Sequence, residues 1–187
     1  FAVKDVRQMR DKARAAGYPI VTREEAGAGD VVTDDVSFNK EQGSYSIFVM
    51  GPDETKVQFF EVKNSPTPVA LHHIHFAGPA TEMRDWYVKV FGAKSGTRGV
   101  YITANLPGVD LSFGNSPTPV VGTRGRVLDH IGFEVKDLEA FCKKLEAQGI
   151  KLDRPYTKVP GLNIAIAFIQ DPWGTYIELT DGLREVD

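Results

Sequence analysis

The hydrophobic spacing of the last third of the chain changes period twice. Leu128–Val135 is apolar and β-branched and predicts a strand; after Asp137, a capping residue, Leu138, Phe141 and Leu145 recur at helical spacing until Gly149 stops them. Ile150–Asp153, the alternating run Asn163–Ile169 and, beyond an Asp171-Pro-Trp-Gly174 turn, Thr175–Thr180 predict a strand and a hairpin. The order is β-α-β-β-β. The middle of the chain reads the same way, with a strand at 71–77, a helix from Thr81 to Phe91 broken at Gly92, and strands near 94–98, 100–105 and 109–114. The first part supplies a helix over 4–16 and strands near 45–50 and 55–62, while residues 23–43, rich in Gly, Asp and Glu, read as a polar loop.

The sequence repeats along with the pattern. Leu71-His-His-Ile-His-Phe76 and Leu128-Asp-His-Ile-Gly-Phe133 are near copies with a histidine fixed at the third place. Phe1–Gly17 aligns without gaps to Phe133–Gly149 with seven of 17 positions identical, so the chain reads as starting inside an equivalent strand. Asn64-Ser-Pro-Thr-Pro-Val69 recurs as Asn115–Val120, and proline-spaced stretches of this kind suit linkers. The expected architecture is α+β: tandem β-α-β-β-β modules paired into a curved, cup-like mixed sheet around a metal site. Residues 1–64 are expected to form a truncated module with a degenerate site, and 65–187 a complete two-module domain, about 70–114 and 127–181.

Composition narrows the function classes. The 22 basic and 25 acidic residues are interspersed and leave a net charge of −3, with no basic stripe for a phosphate backbone, so nucleic acid is not an expected partner. One cysteine, Cys142, excludes an internal disulfide and a multi-thiolate zinc site; at an apolar helical position it reads as packing, as do Trp86, Tyr87 and Phe91. No apolar run approaches the ~20 residues that span a bilayer, so no membrane partner is expected. The compartment stays undetermined, cytoplasmic by default, because the N-terminus reads as incomplete.

Alternate strand residues share a face. If two such modules pack about a pseudo-twofold axis, His73 and His130 converge, and Glu178 joins them. The position matching Glu178 in the middle module is Ser112, a poor ligand, and in the first module it is Gln58. Two imidazoles and a carboxylate on an octahedral metal leave about three open positions, an arrangement suited to Fe(II) or Mn(II), with Zn(II), Ni(II) or Co(II) as alternatives. His75, two residues beyond His73, is the expected proton carrier, and His72 is expected to face solvent or the opposite side. Tyr176 is a second catalytic candidate, and Asp110 and Ser112 are candidates for substrate contact.

These residues resemble those of the vicinal oxygen chelate superfamily, which holds glyoxalase I, extradiol dioxygenases, methylmalonyl-CoA epimerase, fosfomycin-resistance transferases and metal-free bleomycin-resistance proteins. The resemblance covers nearly the whole chain and places metal ligands at His73, Ser112, His130 and Glu178. Members with two histidines and one glutamate include extradiol dioxygenases and fosfomycin-resistance transferases. Ser112 departs from the four-ligand pattern of glyoxalase I, and Asn115 and Phe168 stand where a ring-cleaving dioxygenase has its acid/base histidine and its tyrosine. The resemblance implies a metal-dependent enzyme acting on a small oxygenated organic substrate, by dioxygenase or glyoxalase-like lyase or isomerase chemistry. The alternatives are a ligand-sequestering resistance protein or a fosfomycin-resistance-like thiol transferase. A homodimer is compatible with it.

Overall fold

In the computed structural model, which describes residues 1–183, three mixed sheets each carry helices. The contacts divide the chain into two compact units, Phe1–Pro117 and Thr118–Asp187. The fold class is the α+β arrangement expected from the alternating periods.

The first unit begins with β1 (Ala2–Val3), α1 (Val6–Ala15), a short α2 (Thr22–Glu25), β2 (Val31–Thr33), β3 (Val36–Asn39), β4 (Ser44–Met50) and β5 (Lys56–Glu61), followed by β6 (Val69–Ala70). Their sheet runs β2-β3-β4-β5-β1-β6, with β1 parallel to β5. Asp5 starts α1 by accepting from the backbone N–H of Arg7 and Gln8, which satisfies two of the helix's orphan donors. The apolar side of α1 closes a core of Val3, Val6, Ala13, Val36, Ile47 and Val49.

The expected loop over 23–43 contains a hairpin instead. β2 and β3 pair antiparallel from Val31↔Phe38 to Thr33↔Val36, so only Asp34 and Asp35 form the turn, both at positive φ (49° and 55°). Two consecutive positive φ values match the strand twist, and aspartate tolerates them better than most residues do. Arg10 of α1 donates to the Asp34 carbonyl (2.9 Å) and carboxylate (2.5 Å), while Arg14 and Arg23 hold Asp35 at 2.6 and 3.1 Å. The acidic composition that suggested a solvated loop is the chemistry that ties this turn to the helices.

The same unit then continues with β7 (His73–Gly78), α3 (Ala80–Phe91), β8 (Lys94–Arg98), β9 (Tyr101–Leu106) and β10 (Val109–Asn115), in sheet order β7-β10-β9-β8. Gly92 ends α3 in the left-handed region at φ 69°, as glycine does at low cost. Phe76, Leu111 and Phe113 face Met83, Tyr87 and Val90 of α3, all nine-tenths or more buried, and the Phe76, Tyr87 and Phe113 rings lie 5.2–5.5 Å apart. The polar residues of these strands, His73, Thr103 and Ser112 among them, lie on the side of the sheet opposite to α3, as strand alternation requires.

The second unit repeats the plan with β11 (His130–Glu134), α4 (Leu138–Ala147), β12 (Leu152–Lys158), β13 (Ala165–Gln170) and β14 (Tyr176–Asp181), in order β11-β14-β13-β12. Leu138, Cys142 and Leu145 of α4 are buried, as are Ala167, Ile169, Ile177 and Leu179 of the sheet, and Cys142 has the packing role expected. The Asp171 carboxylate accepts from Trp173 and Thr175 N–H (2.9 and 2.8 Å), closing the Asp-Pro-Trp-Gly turn that delivers β14. Gly174 closes it at φ 95°, and a Cβ there would stand 2.7 Å from Gly122 Cα. Gly174→Ala is therefore expected to lower unfolding free energy by about 2–3 kcal/mol, combining a left-handed backbone with a backbone clash; an unchanged midpoint in urea denaturation would refute this account of the turn.

Candidate functional site

In both repeated modules the first strand pairs in parallel with the last, which sets the histidine slot beside the carboxylate slot. The registers are Asp110↔His73 and Ser112↔His75 in the first unit, and His130↔Tyr176 and Gly132↔Glu178 in the second. His73 therefore belongs to the first unit, and His130 and Glu178 to the second.

In the second unit, His130 Nε2 lies 3.2 Å from Glu178 Oε2, with side chains 39% and 27% exposed. His130 Nδ1 is 2.8 Å from Asp129 Oδ1. A carboxylate has only acceptors, so Nδ1 donates to Asp129, and Nε2 is the nitrogen that faces the Glu178 carboxylate. Asp129 is held in turn by the Gly125 N–H and by His130, and these hydrogen bonds lower its carboxyl pKa. A metal-ligating histidine is normally oriented in this way, and two donors about 3 Å apart suit neighbouring positions around an ion with bonds of about 2.1 Å. On this observation the His130–Glu178 pair fits a divalent metal.

The flank of the pair is aromatic. The His130 ring meets Phe168 edge-on at 5.7 Å, and Phe168 stacks on Tyr176 at 5.0 Å. Tyr176 donates its phenol to Asp153 (2.8 Å), which also takes Arg124 (2.8 Å), and the Arg124 guanidinium covers the ring at 4.6 Å. Burial and the Asp153 carboxylate raise the phenol's pKa, so Tyr176 serves this face as a held ring rather than a ready proton carrier.

In the first unit, His73 sits in a cluster. Its Nδ1 is 2.9 Å from Arg98 Nη1 and 2.6 Å from His72 Nδ1; its Nε2 is 2.8 Å from Gln58 Oε1 and 2.9 Å from His75 Nε2. A guanidinium has no acceptor, so His73 Nδ1 accepts and the ring proton resides on Nε2, whereas His130 Nδ1 donates. Beside Arg98, His73 thus presents an N–H where a metal ligand needs a lone pair, and the ring in this form does not fit a metal. Burial first, then the Arg98 charge, lowers the pKa of His73 to about 2 and that of His75 to about 4, so both rings are neutral at ordinary pH.

The other candidates fall around this cluster. Ser112, fully buried, accepts from Arg98 Nη2 at 2.8 Å, and Asp110 acts on the guanidinium through charge alone. His75 touches Gln58 Oε1 at 3.3 Å and Tyr101 edge-on at 4.8 Å. His72 does not face away: its ring stacks on Phe60 at 4.8 Å while Nδ1 reaches His73. Asn115 caps the start of α3 by accepting from Ala80 N–H (3.3 Å). Within either unit, the described residues include no set of three His, Cys, Asp or Glu side chains grouped for a metal ion.

Three site residues escaped the sequence reading in different ways. Arg98 gave no local signal, because it reaches His73 from the far edge of a four-stranded sheet. A flat sheet would separate those edge strands by about 14 Å, and curling brings them into reach. Gln58 was placed in the carboxylate slot of a module read as degenerate, yet it joins both histidines. Asp129 had a readable signal, since it stands at one of the two positions at which the hexamers differ, Asp129 against His72 and Gly132 against His75.

The comparisons with known proteins bear on the family and the fold. The profile of the Glyoxalase/Bleomycin resistance protein/Dioxygenase superfamily matches residues 30–179. The chain belongs to this superfamily. Among solved structures it is similar to a glyoxalase I variant from Zea mays, with 18% identity and a TM-score of 0.66 over 99% of this chain and 68% of that one. TioX from Micromonospora sp. ML1 (18% identity, TM-score 0.50) is covered completely by 62% of this chain. A glyoxalase family protein described as putative, from Bacillus anthracis, gives 18% identity and TM-score 0.50 over 60% of this chain and 94% of its own. At these identities the likeness concerns the fold. No curated protein matches in sequence.

The pH dependence follows from His73. Its folded pKa lies below the ordinary 6.5, so the unfolded chain binds the extra proton first and stability falls as pH drops below about 6.5. The loss approaches at most about 1.4 kcal/mol per pH unit for one full proton. The wild-type chain should lose unfolding free energy between pH 7 and 4 more steeply than His73→Gln; parallel curves in denaturant titrations would contradict this environment for the ring.

Proposed function

We propose that the chain is a metal-dependent member of its superfamily that acts on a small oxygenated organic molecule, with His130 and Glu178 as metal ligands. The observation that carries this reading is the Asp129 carboxylate on His130 Nδ1, which orients the ring so that Nε2 and Glu178 Oε2 stand 3.2 Å apart, as neighbouring ligands of one ion would. Fe(II) or Mn(II) suits an oxygen- and imidazole-bound site with open positions, and Zn(II), Ni(II) and Co(II) are the alternatives. When bound, such an ion supplies Lewis-acid stabilisation of negative oxygen in the reacting substrate.

The protein's own groups do the rest. Asp129 holds the imidazole proton and ring plane. Phe168 and Tyr176 form an apolar flank for the carbon skeleton of a substrate, and Arg124 with Asp153 keeps the Tyr176 ring in place. His73, which the sequence pattern adds as a third ligand, is assigned no ligand role in the form it takes beside Arg98. Dioxygenase and glyoxalase-like lyase or isomerase chemistry both remain within this reading. No helix of the described residues is long and apolar enough to cross a membrane.

Titrating chelator-treated chain with Mn(II) should show one saturable site. His130→Ala and Glu178→Gln should abolish it, and Asp129→Asn should weaken it by about 10–100-fold, as loss of an orienting partner does. Saturable binding that survives His130→Ala would overturn the ligand assignment, and no binding at all would favour a metal-free sequestering protein.

A further inference from the structure

We propose that the polar face of the first unit's β7-β10-β9-β8 sheet is a binding site for a small carboxylate, in which Arg98 supplies the positive charge. The face is built by register. Arg98↔Tyr101, Gly96↔Thr103, Thr103↔Ser112 and Ser112↔His75 are Cα partners, so these side chains stand on one side of the sheet with His73.

Arg98 is half-buried on this face and makes no ion pair with any described carboxylate; its hydrogen bonds go to neutral acceptors, His73 Nδ1 and Ser112 Oγ. Asp110 influences it only through charge, and Tyr101 is the other group that does so. The three imidazoles here, His72, His73 and His75, are all shifted toward the neutral form and bring no compensating negative charge. Two polar atoms of the same face, Arg98 Nε and Thr103 Oγ1, are buried with no hydrogen-bond partner. Native proteins seldom leave such groups unmatched, and a partly enclosed guanidinium without an anion is the less common arrangement still.

The geometry selects the ligand class. One N–H from each terminal nitrogen is committed to His73 and Ser112, leaving two terminal N–H groups, and a carboxylate matches a guanidinium through two parallel hydrogen bonds. The His75 ring and the Gln58 amide, 3.3 Å apart, offer polar contact for an oxygen on the adjacent carbon. A single carboxylate with a neighbouring carbonyl fits better than a dianion, because Asp110 offsets part of the charge.

The test uses pyruvate and the full chain freed of metal with chelator, so its outcome is independent of the metal assignment in the second unit. Calorimetric titration of wild type should show one saturable site. Arg98→Met should weaken it by about tenfold or more, and Arg98→Lys by less, since lysine keeps the charge and loses the fork. Arg84→Met, which removes an arginine of α3 paired with Asp85, should bind like wild type. If Arg98→Met fails to fold by circular dichroism, Arg98→Lys carries the comparison. Wild-type affinity in the Arg98 variants, or no saturable binding by wild type, would overturn the proposal.

Discussion

A neutral imidazole offers one lone pair, and whatever faces its other nitrogen decides which nitrogen that is. This constraint separates two histidines that occupy the same place in a repeated motif. His130 Nδ1 donates to a carboxylate while its Nε2 faces Glu178, whereas His73 Nδ1 accepts from a guanidinium and its Nε2 turns an N–H toward Gln58 and His75. One ring stands between two carboxylates, and the other beside a fixed cation. Equivalent positions in a repeat therefore need not carry equivalent chemistry.

The backbone makes both arrangements through one device. A helix between the first and second strands lets the first strand pair in parallel with the last, and strand alternation then delivers residues two apart to the polar side. The helix covers the apolar side, with Tyr87 wedged against Phe76 and Phe113 in one unit and Leu138, Cys142 and Leu145 buried in the other. The site residues thus rest on strands braced by a packed core, which suits groups whose hydrogen-bond geometry carries their function.

Most of the fold was legible because its elements obey local periodicity. The helix read over 4–16 forms at Val6–Ala15, and strands read near 94–98, 100–105 and 109–114 form at Lys94–Arg98, Tyr101–Leu106 and Val109–Asn115. The hairpin at Val31–Asn39 was missed because its Asp34-Asp35 turn lacks the glycine that usually announces such turns, and because the ion pairs anchoring it come from Arg10, Arg14 and Arg23. The site was legible in part. The histidines and Glu178 stood out by repetition, but a contact such as Arg98 to His73 depends on how a sheet curls, which no sequence spacing records. The Asp129 and His72 difference was on view in the paired hexamers, and its meaning emerged only with the ring partners in place.

The central claim is that opposite partners give the two repeated histidines opposite roles at Nδ1, an acceptor in His73 and a donor in His130. Long-range proton–nitrogen correlation spectra of the ring nitrogens, recorded on metal-free chain near neutral pH and assigned with single His→Gln variants, measure this directly. His73 should show a bare Nδ1 with its proton on Nε2, and His130 should show a proton on Nδ1. A protonated Nδ1 at His73 or a bare Nδ1 at His130 would contradict it.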